Sequence, residues 1–198
     1  AVAPRVDTQT TLYPMVRGRI TEINGQAPRD AVPADARGDN SLRRELNLTW
    51  QSELPEGNQV VAGQWFTPAS EPEGWMSEVD ATPSSDSETV PISVEDGLAE
   101  RLGLGLGDEI TFSVGSDSIT TRIESLRSLN WDSFNPNFFV IFPPGVLESF
   151  GHSFITAFHL PDEEQGLVRE LVSDFPGVSL LNVDAILGQG RDVLTQVT

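Results

Sequence analysis

Apolar and polar positions along this chain change period several times, and each change marks an element. Met15 to Ile23 mixes β-branched and polar residues in imperfect alternation, which predicts a strand. Leu46-Asn47-Leu48-Thr49-Trp50 alternates better and predicts a second strand; Gln59 to Phe66 predicts a third around Val60 and Val61. Ser93 stands where it can cap a helix whose first turn carries Glu95 and Asp96. That helix puts Leu98, Ala99 and Leu102 on one face and stops at Gly103. Ile110–Val114 and Ile119–Ser125 flank Gly115-Ser116-Asp117-Ser118, the pattern of a hairpin. Leu126 to Pro143 adds a polar loop and then the wholly apolar run Phe138–Phe142, a buried strand closed by Pro143-Pro144.

The C-terminal part predicts a βαβ unit. Phe154 to Leu160 places Phe154, Phe158 and Leu160 on one strand face. Pro161-Asp162-Glu163-Glu164 opens a helix with acids at its positive end, Leu167, Val168, Leu171, Val172 and Phe175 line its apolar face, and Pro176-Gly177 ends it. Val178–Val183 returns as a strand, after which Ile186, Leu187, Val193, Leu194 and Val197 keep helical spacing to the last residue. Two polar stretches interrupt the pattern. Gly25–Arg44 follows an Asn24-Gly25 turn signal and reads as a long loop. Thr67–Thr89 is rich in Ser, Pro, Glu and Asp, with Trp75 and Met76 its large apolar residues, and reads as a connector or surface insertion.

Length and charge narrow the classes. A chain of 198 residues suits one or two small domains with a real core. It carries 30 Asp and Glu against 12 basic residues, all arginine, for a net charge of −18. Nucleic acid, which binds through Lys and Arg neutralising phosphates, is repelled, and anionic lipid surfaces are disfavoured for the same reason. An acidic, lysine-free surface fits surroundings of concentrated salt, where self-repulsion is screened; arginine-favouring codon usage explains it equally well. With no cysteine, disulfides, thiolate catalysis and Cys-based zinc sites are excluded. The longest apolar run, Phe138–Phe142, is far short of the ~20 residues a spanning helix needs, and no signal-peptide pattern opens the sequence.

Motifs that would carry chemistry dissolve when tested. Gly103-Leu104-Gly105-Leu106-Gly107-Asp108 lacks the third glycine of a dinucleotide loop, follows a helix rather than a strand, and ends on a carboxylate that repels phosphate. It is read as a helix stop and a turn. There is no Walker loop and no GxSxG elbow. His152 and His159 are the two histidines and lack companion ligands, so no metal site is expected. Carboxylate pairs such as Glu163-Glu164, or Asp80 with Asp86, read as solvated surface in so acidic a chain. Asn47-Leu48-Thr49 matches a glycosylation sequon and reads as accidental within a strand. Trp131 and Phe134 flank Asp132-Ser133 ahead of Asn135-Pro136-Asn137; either both rings pack on the core or they form a contact patch for a partner or an apolar cargo. No catalytic, cofactor-binding or metal-binding residue is expected.

Six ordered segments carry a family resemblance: Leu12-Tyr13-Pro14 with Arg17–Ile20, Arg44–Trp50, Val61-Ala62-Gly63 with Trp65, Ser93–Asp108, Ser125–Pro143, and Ser179–Leu181 with Ala185–Leu187. In these the chain resembles the extracytoplasmic domain of ABC transporter permeases of the MacB/FtsX superfamily, in particular the YbbP type. The main departure is Thr67–Thr89, longer and more acidic than the family pattern. The resemblance implies an α+β fold with a MacB-like periplasmic core: a porter part of βαβ units and an inserted small β-rich Sabre part. On that reading residues 1–66 and 145–185 form the porter, 67–89 an acidic Ser/Pro-rich connector, 90–144 the Sabre-like part, and 186–198 the start of a helix leading to the next transmembrane segment.

The resemblance further implies a non-catalytic periplasmic domain of an inner-membrane permease, with no cofactor. A separate cytoplasmic ABC ATPase subunit would supply the energy for moving or releasing a hydrophobic or lipid-like cargo. A periplasmic lysophospholipase/thioesterase is an implied partner. Two other classes stay in view. A soluble periplasmic ligand-binding or interaction module would show a closed apolar pocket with convergent polar groups. A carboxylate-based hydrolase would show two facing acids in a cleft.

Overall fold

The computed structural model describes residues 11–66, 89–130, 136–158 and 166–181. The fold is α+β, with two compact units: residues 10–157, and residues 1–9 with 158–198.

The larger unit is built on β1 (Tyr13–Ile23), β2 (Leu46–Trp50), β3 (Asn58–Gly63), β4 (Val90–Glu95), β5 (Glu109–Val114), β6 (Asp117–Leu129), β7 (Val140–Phe142) and β8 (Ser153–Ile155). Hydrogen bonding runs β2-β7-β4-β6-β5-β1, and β1 also pairs with β2. The ladder thus returns to its first strand, and six strands form a closed ring. β3 adds to the far end of β6 and β8 to the start of β1. Closure removes the open edges that would otherwise template aggregation. The ring is mixed: β2–β7 and β4–β6 are parallel, the other ring pairs antiparallel.

Alternation along each strand decides what fills the ring. Val16, Ile20, Leu46, Leu48, Ile92, Val94, Ile110, Phe112, Val114, Ile123, Val140 and Phe142 are all buried in one cluster. Gly18 sits where β1 lies between β2 and β5; a Cβ there would overlap Leu48 Cδ1 and come within 3.2 Å of Val114 Cγ2. The missing side chain is what lets the ring close. Helix α2 (Asp96–Leu102) adds Leu98, Ala99 and Leu102 to the same core. Gly103 ends it at φ +68, a left-handed turn packed so closely on Pro33 that a Cβ would lie 2.9 Å from Pro33 Cγ.

Several expectations are corrected. Glu95, not Ser93, caps α2: its carboxylate accepts from Leu98 N at 2.5 Å, while Ser93 remains inside β4, whose apolar neighbours carry the strand on to Glu95. The hairpin turn is two residues, because Asp117 already pairs with Val114 and β6 runs on to Leu129. Gly25–Arg44 is not a plain loop. It forms α1 (Pro28–Ala31) and two 3₁₀ turns, Ala36–Gly38 and Asn40–Leu42, because Val32, Ala36 and Leu42 reach the core. Asp39 fastens the second turn by accepting from Ser41 N at 2.8 Å and Ser41 Oγ at 2.7 Å, and its other oxygen lies 3.3 Å from Arg101 Nε. Strands of 13–50 and strands of 90–142 share one ring, and the larger unit runs through 157.

In the smaller unit, α3 (Gly166–Asp174) forms as the spacing predicts, with Leu167 buried and Val168, Val172 and Phe175 exposed. The flanking strands differ. The first is reduced to Ser153–Ile155, which belongs to the larger unit, and 178–181 has no regular structure. Thr67–Glu88 and 182–198, with the expected connector and terminal helix, lie outside the described residues.

Candidate functional site

A bulge in β6 builds the most unusual environment in the molecule. Ile92 pairs with Ile123 but Ser93 pairs with Ser125, so Glu124 is an extra residue. Since side chains alternate with period two, the extra residue exchanges the faces of everything after it. Ile123 points into the ring; beyond the bulge Leu126 does so, and Ser125 and Arg127 turn outward. They meet Ser93 and Glu95 of β4, whose neighbours Ile92 and Val94 fill the interior. The pairings Thr49↔Ile141, Ile141↔Ser93 and Ser93↔Ser125 run this row across four strands on the outer face.

The row is buried although it lies outside the ring. Thr49, Ser93, Ser125 and Arg127 are each 0% exposed. A second apolar cluster of Tyr13, Phe138 and Ile141, with Met15, Trp65 and Phe66 packed on it, forms on that face. Tyr13 and Phe138 stack with centroids 6.1 Å apart, and Trp65 Nε1 donates to Ser52 O at 3.2 Å. Thr49 Oγ1 donates to Pro14 O at 2.6 Å, whereas Ser93 Oγ, Ser125 Oγ and Arg127 Nε have no hydrogen-bond partner among the described residues.

Arg127 ties this face to the loop joining β6 and β7. Its Nη2 donates to Phe138 O and its Nη1 lies 3.5 Å from Phe139 O. Glu95 N donates to the same Phe139 carbonyl at 2.8 Å. At the other end of the loop, Asn130 N donates to Gly57 O at 3.0 Å. Burial pushes the Arg127 guanidinium down to about 10, against the opposing pull of Glu95 and Asp96. It therefore stays charged at neutral pH. Glu95 caps α2 and pairs in register with Arg127, so one buried cation joins a helix start, a strand end and the returning leg of a loop. The arrangement can hold a loop in place.

The residues singled out in the sequence fall out as follows. Trp131 and Phe134, the candidate contact pair, lie outside the described residues, as do His159, Trp75, Met76, Asp80, Asp86, Glu163 and Glu164. His152 is exposed, with its ring edge-on to Trp50 and to Phe154 at 5.3 Å each. Among the described residues no three His, Asp or Glu gather as a metal site would require. The glycine-rich stretch is a turn: Gly105 N donates to Asp108 Oδ2 at 2.7 Å and Gly107 N to Ile123 O at 2.8 Å, leaving those donors no phosphate to hold. What the sequence reading missed is Arg127. Its signal was faint: Arg127 falls in the stretch from Leu126 that the pattern assigns to a polar loop, and nothing local sets it apart from Arg122.

No family model matches the chain. It is 37% identical over 179 residues, 90% of its length, to a protein of Escherichia coli (strain K12) described as "Uncharacterized ABC transporter permease YbbP". The chain spans about a fifth of that relative, 19% of its length. Across nine-tenths of its length, this chain is similar to one segment of that permease.

Proposed function

We propose that the chain is the extracytoplasmic domain of an ABC transporter permease, acting by motion and contact rather than chemistry. The observation that carries this is the 37% identity, along 90% of the chain, to one segment of a permease about five times as long. Among the described residues no helix is long and apolar enough to cross a membrane, which suits a segment standing outside the bilayer. The −18 charge disfavours the anionic cytoplasmic leaflet. Periplasmic placement, in an inner-membrane parent, is the reading these favour.

We assign the β-ring unit, 10–157, to the Sabre-like part, and residues 1–9 with 158–198 to the porter. The support is the interleaving of 13–50 with 90–142 in one ring, within a compact unit that runs through 157. A cytoplasmic ATPase subunit powers a conformational change that this domain passes to a hydrophobic or lipid-like cargo, or to a periplasmic lysophospholipase/thioesterase. Such transmission needs a two-state element biased from both sides. Trp131 and Phe134, on the loop whose base Arg127 holds, are the proposed contact residues.

The test uses the intact permease with its ATPase in proteoliposomes. Replacing Trp131 and Phe134 together by alanine is expected to abolish most of the cargo- or partner-stimulated ATP hydrolysis and leave the basal rate intact. Full stimulation in that variant would remove the loop from the transmission.

A further inference from the structure

A half-open groove of about 390 Å3 lies beside the start of β2, walled by Arg17, Arg44, Glu45, Asn47, Asn137 and Phe138. Its size is at the lower end of small-ligand sites, about 300–1,000 Å3. The polar lining is rich in donors, with two guanidiniums and two carboxamides against one carboxylate. Glu45 lies 3.8 Å from Arg17. The side chains of Arg44, Asn47 and Asn137 have neither hydrogen bond nor ion pair among the described residues.

Arg44, like Arg19, Arg29, Arg37 and Arg43, has no ion pair among the described residues; what sets it apart is the groove it lines. Arg101 and Arg122, by contrast, find Asp39 and Glu109 at 3.3 and 3.0 Å. The groove also lies in the least negative stretch of the chain. Residues 1–50 hold 7 Arg and 6 acids, net +1; residues 51–198 hold 5 Arg and 24 acids, net −19.

We propose that this groove binds a small molecule bearing a phosphate or carboxylate group. Arg44 supplies the principal counter-charge, since a guanidinium presents paired donors that match either oxyanion. Asn47 and Asn137 add neutral donors, and Arg17 turns to the ligand from its loose pairing with Glu45. Phe138, nearly buried, forms an apolar wall that accommodates the ligand's non-ionic part. This site does not depend on the transport reading.

The experiment titrates isotope-labelled chain with inorganic phosphate, and separately with citrate, at low ionic strength. The arginine Nε–H and asparagine amide resonances are followed by NMR. Saturable shifts are expected at Arg44, Asn47 and Asn137. R44Q is expected to weaken binding about fivefold, the scale of one exposed ion pair, with the melting temperature unchanged. E45Q, which removes the groove's carboxylate, is expected to tighten it about twofold by the same reasoning. Saturation by phosphate alone, or by citrate alone, supports the site and identifies which oxyanion it takes. Shifts that never saturate, or affinities equal in wild type, R44Q and E45Q, would overturn the proposal.

Discussion

Arg127 shows how one side chain can outweigh its neighbours. Its charge is buried where a lone cation would be untenable, and carbonyl oxygens with the nearby Glu95 make it tolerable. Arg127→Met is expected to lower unfolding stability by about 2–3 kcal/mol in urea titrations, because it orphans the Phe138 carbonyl and leaves Glu95 without its facing cation. Arg127→Lys is expected to recover little, since a point donor cannot serve two carbonyls. The pH dependence has a definite sign. A guanidinium lowered to about 10 in the fold is charged in both states below that value, so this group gives no pH slope between pH 6 and 9. Above about 10 the unfolded chain holds the extra proton, and the cost of burial is relieved. Asp39 behaves oppositely. The Ser41 hydroxyl, and after it the Ser41 amide and Arg101, hold its carboxyl below the usual range despite partial burial. Its stabilisation is complete above the ordinary carboxylate pKa and is lost as pH falls through the lowered value. Asp39→Asn is expected to cost about 1 kcal/mol at pH 7, and the gap to wild type is expected to close as pH drops below about 4. A thermal-melt series in both proteins checks it. Neither role was legible in the sequence. An arginine in a strand and an aspartate in a polar stretch read as solvated surface, and only tertiary pairing buries the first and gives the second its partners.

At the level of elements, the bulge at Glu124 is the decisive feature. Inserting one residue between Ser125 and Leu126 would turn Arg127 to the interior face and expel Leu126. The expected result is loss of the cooperative melt and of dispersed amide NMR signals; deleting Glu124 instead leaves Ser125 opposite Ser93 and is expected to keep the fold, and an unfolded deletion variant with a folded insertion variant would contradict this account of the faces. β2, where alternation was strong, was bounded correctly, and β1, β3 and β5 nearly so. α2 and its Gly103 stop were equally plain. Its cap was not, because Ser93 is a favoured cap and Glu95 is not, and only the pairing of β4 with β6 keeps Ser93 in the strand. Ring closure could not be read at all. It rests on Gly18 lying against Leu48, a contact 30 residues apart with no local signature. Of the expected flanking strands of α3, the first is seen only as Ser153–Ile155, paired with β1, and the described part of the second, 178–181, has no regular structure, since apolar spacing alone does not supply a pairing partner along a whole strand.

For the whole molecule, the family was legible and the architecture only partly. Six spaced segments pointed to a YbbP-type permease, and the 37% identity over 90% of the chain agrees. The two-part division was drawn along the sequence, whereas the ring joins strands from both sides of the long acidic stretch, so compactness in space and continuity in sequence diverge. The side of the membrane on which this domain stands decides its proposed role, and the chain's lack of cysteine makes the test clean. A single cysteine at Ser116, exposed in the turn between β5 and β6, is introduced into the intact permease freed of any other cysteine. Intact cells with a permeabilised outer envelope are then treated with a membrane-impermeant maleimide. Labelling without rupture of the inner membrane is the expected result; labelling that appears only after the inner membrane is broken would place the domain in the cytoplasm and contradict the extracytoplasmic role.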